Sequence, residues 1–499
     1  MQSGRGGDLG PSAARWTPPE PAFQHPARPT RAPALAGCLG DPATQGSLHE
    51  HVVEESALAT VKLLAPEPID GAHERLAFVL ARQHVDMCPQ CLLCPTAHVR
   101  ERYRDVRGDG SPSPPHYHGR VQRYDAAVIG AGPAGSVTAI HLARGGARVL
   151  LIDKACFPRD KPCGGGLTLR AVRQLPVDPG PVVEHEVDRM EFRLGRRSRF
   201  ERSGRRGPFV LMTQRRRLDQ YLAEQAAEAG AEFRDGVKVG DVEEGRLRVD
   251  GEEIAAEIVV GADGANGTAA RSLGLGGPIT QGVAYEGNAP FEERYRGLAV
   301  IELGTIPGGY GWVFPKGDHV NVGVGGWEAE GPRLRGHLAE LCRREGIDST
   351  TLESVRGHRL PLRRAGFVPA RGRALLVGDA AGLVDPLTGD GMYEAFVSAR
   401  LAAEAALGVL AGRAETVEPY ADRLTDALGS LAGASWGAKI ALDRFPRVVF
   451  GLARAPLVWP VVERLVRGDI SAPGEARGLA RPPLKAIAAL ARIAGARAA

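Results

Sequence analysis

No stretch of this 499-residue chain stays apolar for the roughly 18 residues that a membrane-spanning helix requires, so a bilayer-crossing protein is not expected. The N-terminus lacks the apolar core of a secretory signal. Seven cysteines at irregular spacings make no disulfide framework, which points to a reducing, cytoplasmic compartment. A formal net charge of +4 is too small to imply a nucleic-acid partner. What is present, 43% hydrophobic and 24% charged residues, is the composition of a globular protein long enough for two or three domains.

The composition is uneven. Residues 1–120 hold 15 of the 37 prolines, 8 of the 13 histidines and 4 of the 7 cysteines. Such a segment buries little apolar area and is expected to be a disordered extension, or translation upstream of a true start near Val121. Within it Cys88, Cys91 and Cys94 form a CxxCxxC run flanked by His84 and His98. This is a weak zinc or iron–sulfur candidate, because no second cluster completes the set.

The informative chemistry begins at Tyr124–Gly135, YDAAVIGAGPAG. An apolar strand pattern ends in Gly130, Gly132 and Gly135, and a helix pattern with Ala134 in its first turn runs to Arg144. Glycines at that spacing make the tight turn, admit a pyrophosphate to the backbone and let helix pack on strand. A second apolar run, Arg148–Ile152, ends in Asp153 and Lys154, where an acid can accept hydrogen bonds from an adenosine ribose. Strand, helix, strand and acid in this order predict a dinucleotide site.

Two further segments point to FAD. Ala374–Gly391 reads ALLVGDAAGLVDPLTGDG, a strand into Gly378 and Asp379 and then a turn with Pro386, Gly389 and Gly391 before a helix from Met392. Asp379 is placed for ribitol hydroxyls, and the turn lets bare amides approach a flavin ring. Val259–Gly264, VVGADG, is another strand entering a turn, with Asp263 in it. The Gly323–Gly326 stretch lies in a strand pattern with no helix after it, so it is not a second nucleotide site.

With these motifs in place the chain resembles the large FAD-dependent family of aromatic hydroxylases, halogenases and geranylgeranyl reductases, and the last group most closely. Phe157–Leu167, FPRDKPCGGGL, looks like that group's signature after the second strand, and Pro307–Pro315, PGGYGWVFP, matches its PxxYxWxFP motif. Thr213–Leu222, TQRRRLDQYL, is similar to RxxFDxxL, with its arginine at Arg215 and Leu218 in place of Phe. The resemblance covers about Tyr124–Leu410. It implies an α/β fold, with a Rossmann-like FAD domain interleaved with an antiparallel substrate sheet over residues 121–411, the sheet mainly at 276–365. A helical region is expected over 412–499.

The resemblance implies a reductase that saturates isolated C=C bonds of a prenyl chain on a lipid, quinone or pigment precursor. Cys163 and Gly164 would approach the flavin, with Cys163 able to gate it, donate a proton or touch substrate. Tyr310, Trp312 and Phe314 share one face of a strand and would line the prenyl groove, Tyr310 and Trp312 nearest the chemistry. With no NAD(P) domain, the reductant is NAD(P)H docking transiently or a protein electron carrier. Seven arginines between Arg193 and Arg206 read as a solvated face, or as contacts for a diphosphate or an anionic membrane surface. Peripheral membrane contact is therefore a further expectation. The competing readings are a flavin monooxygenase or halogenase, an electron-transfer flavoprotein acting on quinone, and a metal-binding interaction module fused to a degenerate flavoprotein.

Overall fold

The computed structural model describes residues 121–195 and 198–495; the CxxCxxC run lies outside them. Strand β1 (Gln122–Ile129) buries Ala126–Ile129 on both faces, which is what an apolar run in a parallel sheet requires. The turn at Gly130 leads into helix α1 (Pro133–Arg144), with Pro133 at its start, and β2 (Val149–Ile152) returns beside β1 in parallel. Small buried residues, Ala134, Gly135, Ser136, Thr138 and Ala139, let α1 lie close against its neighbours.

Around this unit grows a twisted sheet in the order 370–371, 374–376, 252–261, β1, β2, 232–234. Its core pairings are parallel, with the antiparallel strands 246–249 and 239–243 added at 252–261. Helix α2 (Arg215–Glu228) and helix α3 (Met392–Leu410) pack on α1 and close the apolar layer.

The second sheet has seven strands among the described residues, in the order 353–363, 279–290, 319–327, 310–315, 298–303, 189–194, 198–203. The alternation expected over 280–326 is present as four antiparallel-linked strands. The sheet also takes in the arginine-dense stretch, through a parallel pairing of 298–303 with 189–194. That stretch was expected as a solvated face or an anion site. Arg199, Arg205 and Arg206 are exposed, as on a solvated face, while Arg193 pairs with Glu191 and Glu345, and Arg206 with Asp469. After α3, the helical C-terminal segment contains α4 (Pro419–Arg444), α5 (Pro446–Ala453), α6 (Trp459–Arg467) and α7 (Arg481–Ile493).

Candidate FAD and substrate site

A cavity of about 1060 Å³ begins at the β1–α1 turn and ends against the second sheet, and the three glycine-rich segments all open into it. Gly130 has φ +107°, and a Cβ there would stand 2.4 Å from the Ala262 carbonyl oxygen. A Cβ on Gly135 would stand 1.8 Å from the Gly130 oxygen, so helix and turn meet at a distance only glycine allows. Gly132, the residue before α1, caps with no side chain and leaves the first amides of the helix available. A Cβ on Gly132 would face Arg159 at 3.4 Å and Arg215 at 3.9 Å.

Those two guanidiniums are held by carboxylates. Arg215 makes a bidentate pair with Asp219 at 2.6 and 2.8 Å, and Arg159 reaches the same carboxylate at 2.9 Å and Asp153 at 3.6 Å. Asp153 takes the amide hydrogens of Ala131 (2.8 Å) and Ala155 (2.9 Å), and each oxygen keeps a lone pair for a ribose hydroxyl. Lys154 lines the cavity beside it and is exposed. Bare helix amides, converging cations and an acid at the end of β2 fit the pyrophosphate and adenosine half of FAD.

The other half of the site is built by Gly378 and Asp379. Gly378 sits at φ +56°, where a Cβ would crowd Ala134 at 2.8 Å, and its amide donates to Ser398 Oγ at 3.1 Å. Burial opposes the charge on Asp379, yet Lys161 Nζ at 3.2 Å and His358 Nε2 at 3.7 Å outweigh it and hold the carboxyl well below the usual range. Pro386, Gly389 and Gly391 line the cavity in a turn pinned by Asp385 Oδ1, which accepts from the Leu387 and Thr388 amides. Asp263 also lines it. One oxygen of this carboxylate caps the Thr268 and Ala269 amides, while the other is buried with no partner.

Losing the charge at position 379 should loosen FAD. Asp379→Asn is expected to raise the dissociation constant about tenfold, the scale of one hydrogen bond to a charged group. Flavin absorbance retained through gel filtration reads the effect.

Asp390 behaves oppositely. Burial, with Asp385 nearby, pushes its carboxyl up to about 6, although the Met392 amide donates to it at 3.0 Å. The folded protein therefore holds this proton more tightly than the unfolded chain does. Stability falls as pH rises from about 4 through that value, and the full cost stands above it. Asp390→Asn keeps an acceptor for Met392 and removes the buried charge. It should raise the unfolding free energy by roughly 1–3 kcal/mol near pH 8 and change it little near pH 4, as read by urea titrations at the two pH values.

Where the cavity meets the second sheet, Tyr310, Trp312 and Phe314 project from one face of their strand. Their rings follow one another at 5.9 and 6.3 Å between centroids, and all three line the cavity. The Tyr310 hydroxyl donates to the Thr388 carbonyl, tying this wall to the Pro386–Gly391 turn. Cys163 and Gly164 lie against it: a Cβ on Gly164 would stand 2.9 Å from Phe314 and 3.6 Å from the Trp312 indole nitrogen. Burial pushes the Cys163 thiol up, partly countered by Arg215 and Lys316, and its sulfur accepts from the Gly165 amide at 3.4 Å.

Several residues that sequence reasoning passed over belong to this site. Glu286 accepts the Cys163 amide hydrogen at 2.6 Å, and Lys316 donates to the Cys163 carbonyl at 2.9 Å. Asn321 accepts the Trp312 indole hydrogen at 2.7 Å. Gly323 lies under the indole, where a Cβ would stand 2.1 Å from Trp312 Cζ2. One signal was available: Glu286 is a single charge inside an otherwise uncharged strand, ITQGVAYEGNAP.

An FAD binding domain is recognised over residues 123–298. A chloroplastic geranylgeranyl diphosphate reductase of Nicotiana tabacum is 33% identical over 341 residues, covering 61% of this chain and 70% of the relative. A menaquinone reductase of Mycobacterium tuberculosis is 33% identical over 308 residues, covering 56% and 76%. The crystal structure of a geranylgeranyl bacteriochlorophyll reductase-like protein from Thermoplasma acidophilum superposes with a TM-score of 0.63 at 22% identity. It covers 74% of this chain and all of that one, and shows the shared fold.

Proposed function

The chain belongs to the geranylgeranyl reductase family of FAD-dependent oxidoreductases, and from that premise we propose that it saturates isolated C=C bonds of a prenyl chain carried by a lipid, quinone or pigment precursor. The observation that carries the reading is the aromatic wall Tyr310–Trp312–Phe314 facing the Cys163–Gly164 loop in the cavity that the FAD fingerprint opens. Bound and reduced, FAD supplies the hydride that an alkene carbon must receive.

The protein's own part is binding, exclusion of water and the proton for the second carbon. An unactivated alkene is a poor acceptor, so both a dry apolar wall and a positioned acid are needed. The wall supplies the first. Cys163 is our candidate for the second, because its raised thiol keeps its proton at neutral pH. Tyr310, with its hydroxyl engaged by Thr388, holds the wall against the Pro386–Gly391 turn. Gly130, Gly132, Ala134, Gly135, Asp153, Lys154, Arg215, Asp263, Gly378, Asp379, Pro386, Gly389 and Gly391 are proposed to hold FAD. Reductant enters as transiently docked NAD(P)H or through a protein carrier, and the enzyme works on the cytoplasmic side.

The test is to incubate dithionite-reduced protein, without oxygen, with geranylgeranyl diphosphate and with menaquinone. Mass spectra should show products gaining one pair of hydrogens per double bond. Nicotinamide consumption that depends on oxygen, with an unchanged prenyl chain, would overturn the reading in favour of a monooxygenase.

A further inference from the structure

The C-terminal helices carry a surface that the reductase chemistry does not use. Four of the eight large apolar side chains that stand exposed among the described residues fall between Pro446 and Ile493: Val448 (51%), Leu457 (47%), Leu479 (74%) and Ile493 (74%). Exposed cations surround them in sequence, among them Arg447, Arg454, Arg477, Arg481, Lys485 and Arg492, none of them ion-paired among the described residues.

The few acids of the same segment are already engaged. Glu463 holds Arg467 and the Arg205 amide, Asp469 pairs with Arg173 and Arg206, and Glu475 accepts the Ser471 and Ala472 amides. Eight cations against three acids between Pro446 and Ile493 leave the segment with a net positive charge. Helix α7 is built the same way, with Leu484, Ile487 and Ala491 turned inward while Arg481, Lys485 and Arg492 are exposed.

The segment is also continuous with the cavity. Leu465 and Val466 of α6 line it, and Leu465 and Leu484 pack against the cluster of Val461, Ile470, Ala476 and Ala480, the last the neighbour of exposed Leu479. One apolar layer thus has the cavity on one side and this surface on the other.

We infer that the C-terminal helices form a docking surface for an anionic phospholipid bilayer, on which the protein sits beside a membrane-held substrate. Leucine and isoleucine standing about three-quarters exposed among unpaired cations suit an interface of acyl chains and acidic head groups. A second copy of the chain is the poorer occupant, since a twofold contact would set this positive surface against itself. No helix among the described residues is long and apolar enough to cross a membrane, so attachment by this surface is peripheral. The purpose of the surface rests on the prenyl-reductase reading, but its test needs no turnover.

Full-length FAD-loaded protein is sedimented with vesicles of phosphatidylcholine alone and of phosphatidylcholine mixed with phosphatidylglycerol. Binding is expected only to the mixed vesicles and should weaken as salt rises. The double variant Arg481→Glu/Lys485→Glu should lower partitioning about tenfold or more. Leu479→Asp/Ile493→Asp should lower it by a similar factor, with flavin content and turnover of detergent-dispersed substrate unchanged. Equal binding to both vesicle types, no binding to either, or wild-type partitioning of both double variants would overturn the proposal. A concentration-dependent dimer abolished by Leu479→Asp/Ile493→Asp would overturn it in favour of self-association. Loss of prenyl turnover with vesicle binding intact would count against the reductase reading alone.

Discussion

Trp312→Ala should lower kcat/KM for a prenyl substrate about 100-fold while dithionite still reduces the flavin at the wild-type rate. The indole is the centre of the aromatic wall, between Tyr310 and Phe314, and withdrawing a side chain of that size from an apolar ligand forfeits about 2–3 kcal/mol of binding. Electron entry does not pass through this contact, so the two measurements should separate. Gly323→Ala tests the same idea from the neighbouring strand, where Gly323 pairs directly with Trp312. A Cβ at Gly323 would occupy space taken by the indole, 2.1 Å from Cζ2, so the ring must tilt away from Asn321 and into the cavity. One added carbon, outside the groove itself, is expected to cost most of what Trp312→Ala costs. Wild-type prenyl turnover in both variants would show the wall to be packing alone, and the monooxygenase reading would gain.

That comparison also marks where the sequence was legible. The dinucleotide half could be read because its chemistry is written in local backbone: Gly130 and Gly135 are required by contacts within a few residues of themselves or with the turn that follows the adjacent strand. The aromatic wall could be read for the same reason, since period-two alternation places Tyr310, Trp312 and Phe314 on one face whatever lies opposite. The partners across the chain could not. His358 and Lys161 meet at Asp379 from positions 21 residues before it and 218 residues before it, and nothing local announces that meeting. In the arginine-dense stretch the charge density was visible, while the acids that pair with two of its members, Glu345 with Arg193 and Asp469 with Arg206, lie far away in sequence. GVGG at Gly323–Gly326 lies within a strand, as its pattern suggested, but the room that Gly323 leaves for the Trp312 ring depends on strand register that only the fold supplies.

The Cys163 loop is where long-range partners should matter most. A single residue, Cys163, is held on both sides from the second sheet, its amide hydrogen by Glu286 at 2.6 Å and its carbonyl by Lys316 at 2.9 Å. Burial pushes the Glu286 carboxyl up, against the pull of Lys316 and of the Cys163 amide. This clamp sets where Cys163 and Gly164 stand relative to Trp312 and Phe314. Glu286→Ala leaves a buried amide without its acceptor, a cost of about 1–3 kcal/mol, and frees the loop to shift. Prenyl turnover should fall between ten- and a hundredfold with FAD retained, and Cys163 should react faster with iodoacetamide because the thiol is no longer packed in place. Glu286→Gln keeps an oxygen for the same amide and should recover activity to within a few-fold of wild type, with an unchanged pH profile. The contrast between the two variants separates the possible roles. If the glutamine variant were as inactive as the alanine one, the carboxyl proton itself would be what the reaction needs, and the acid for the second carbon would be reassigned from Cys163 to Glu286.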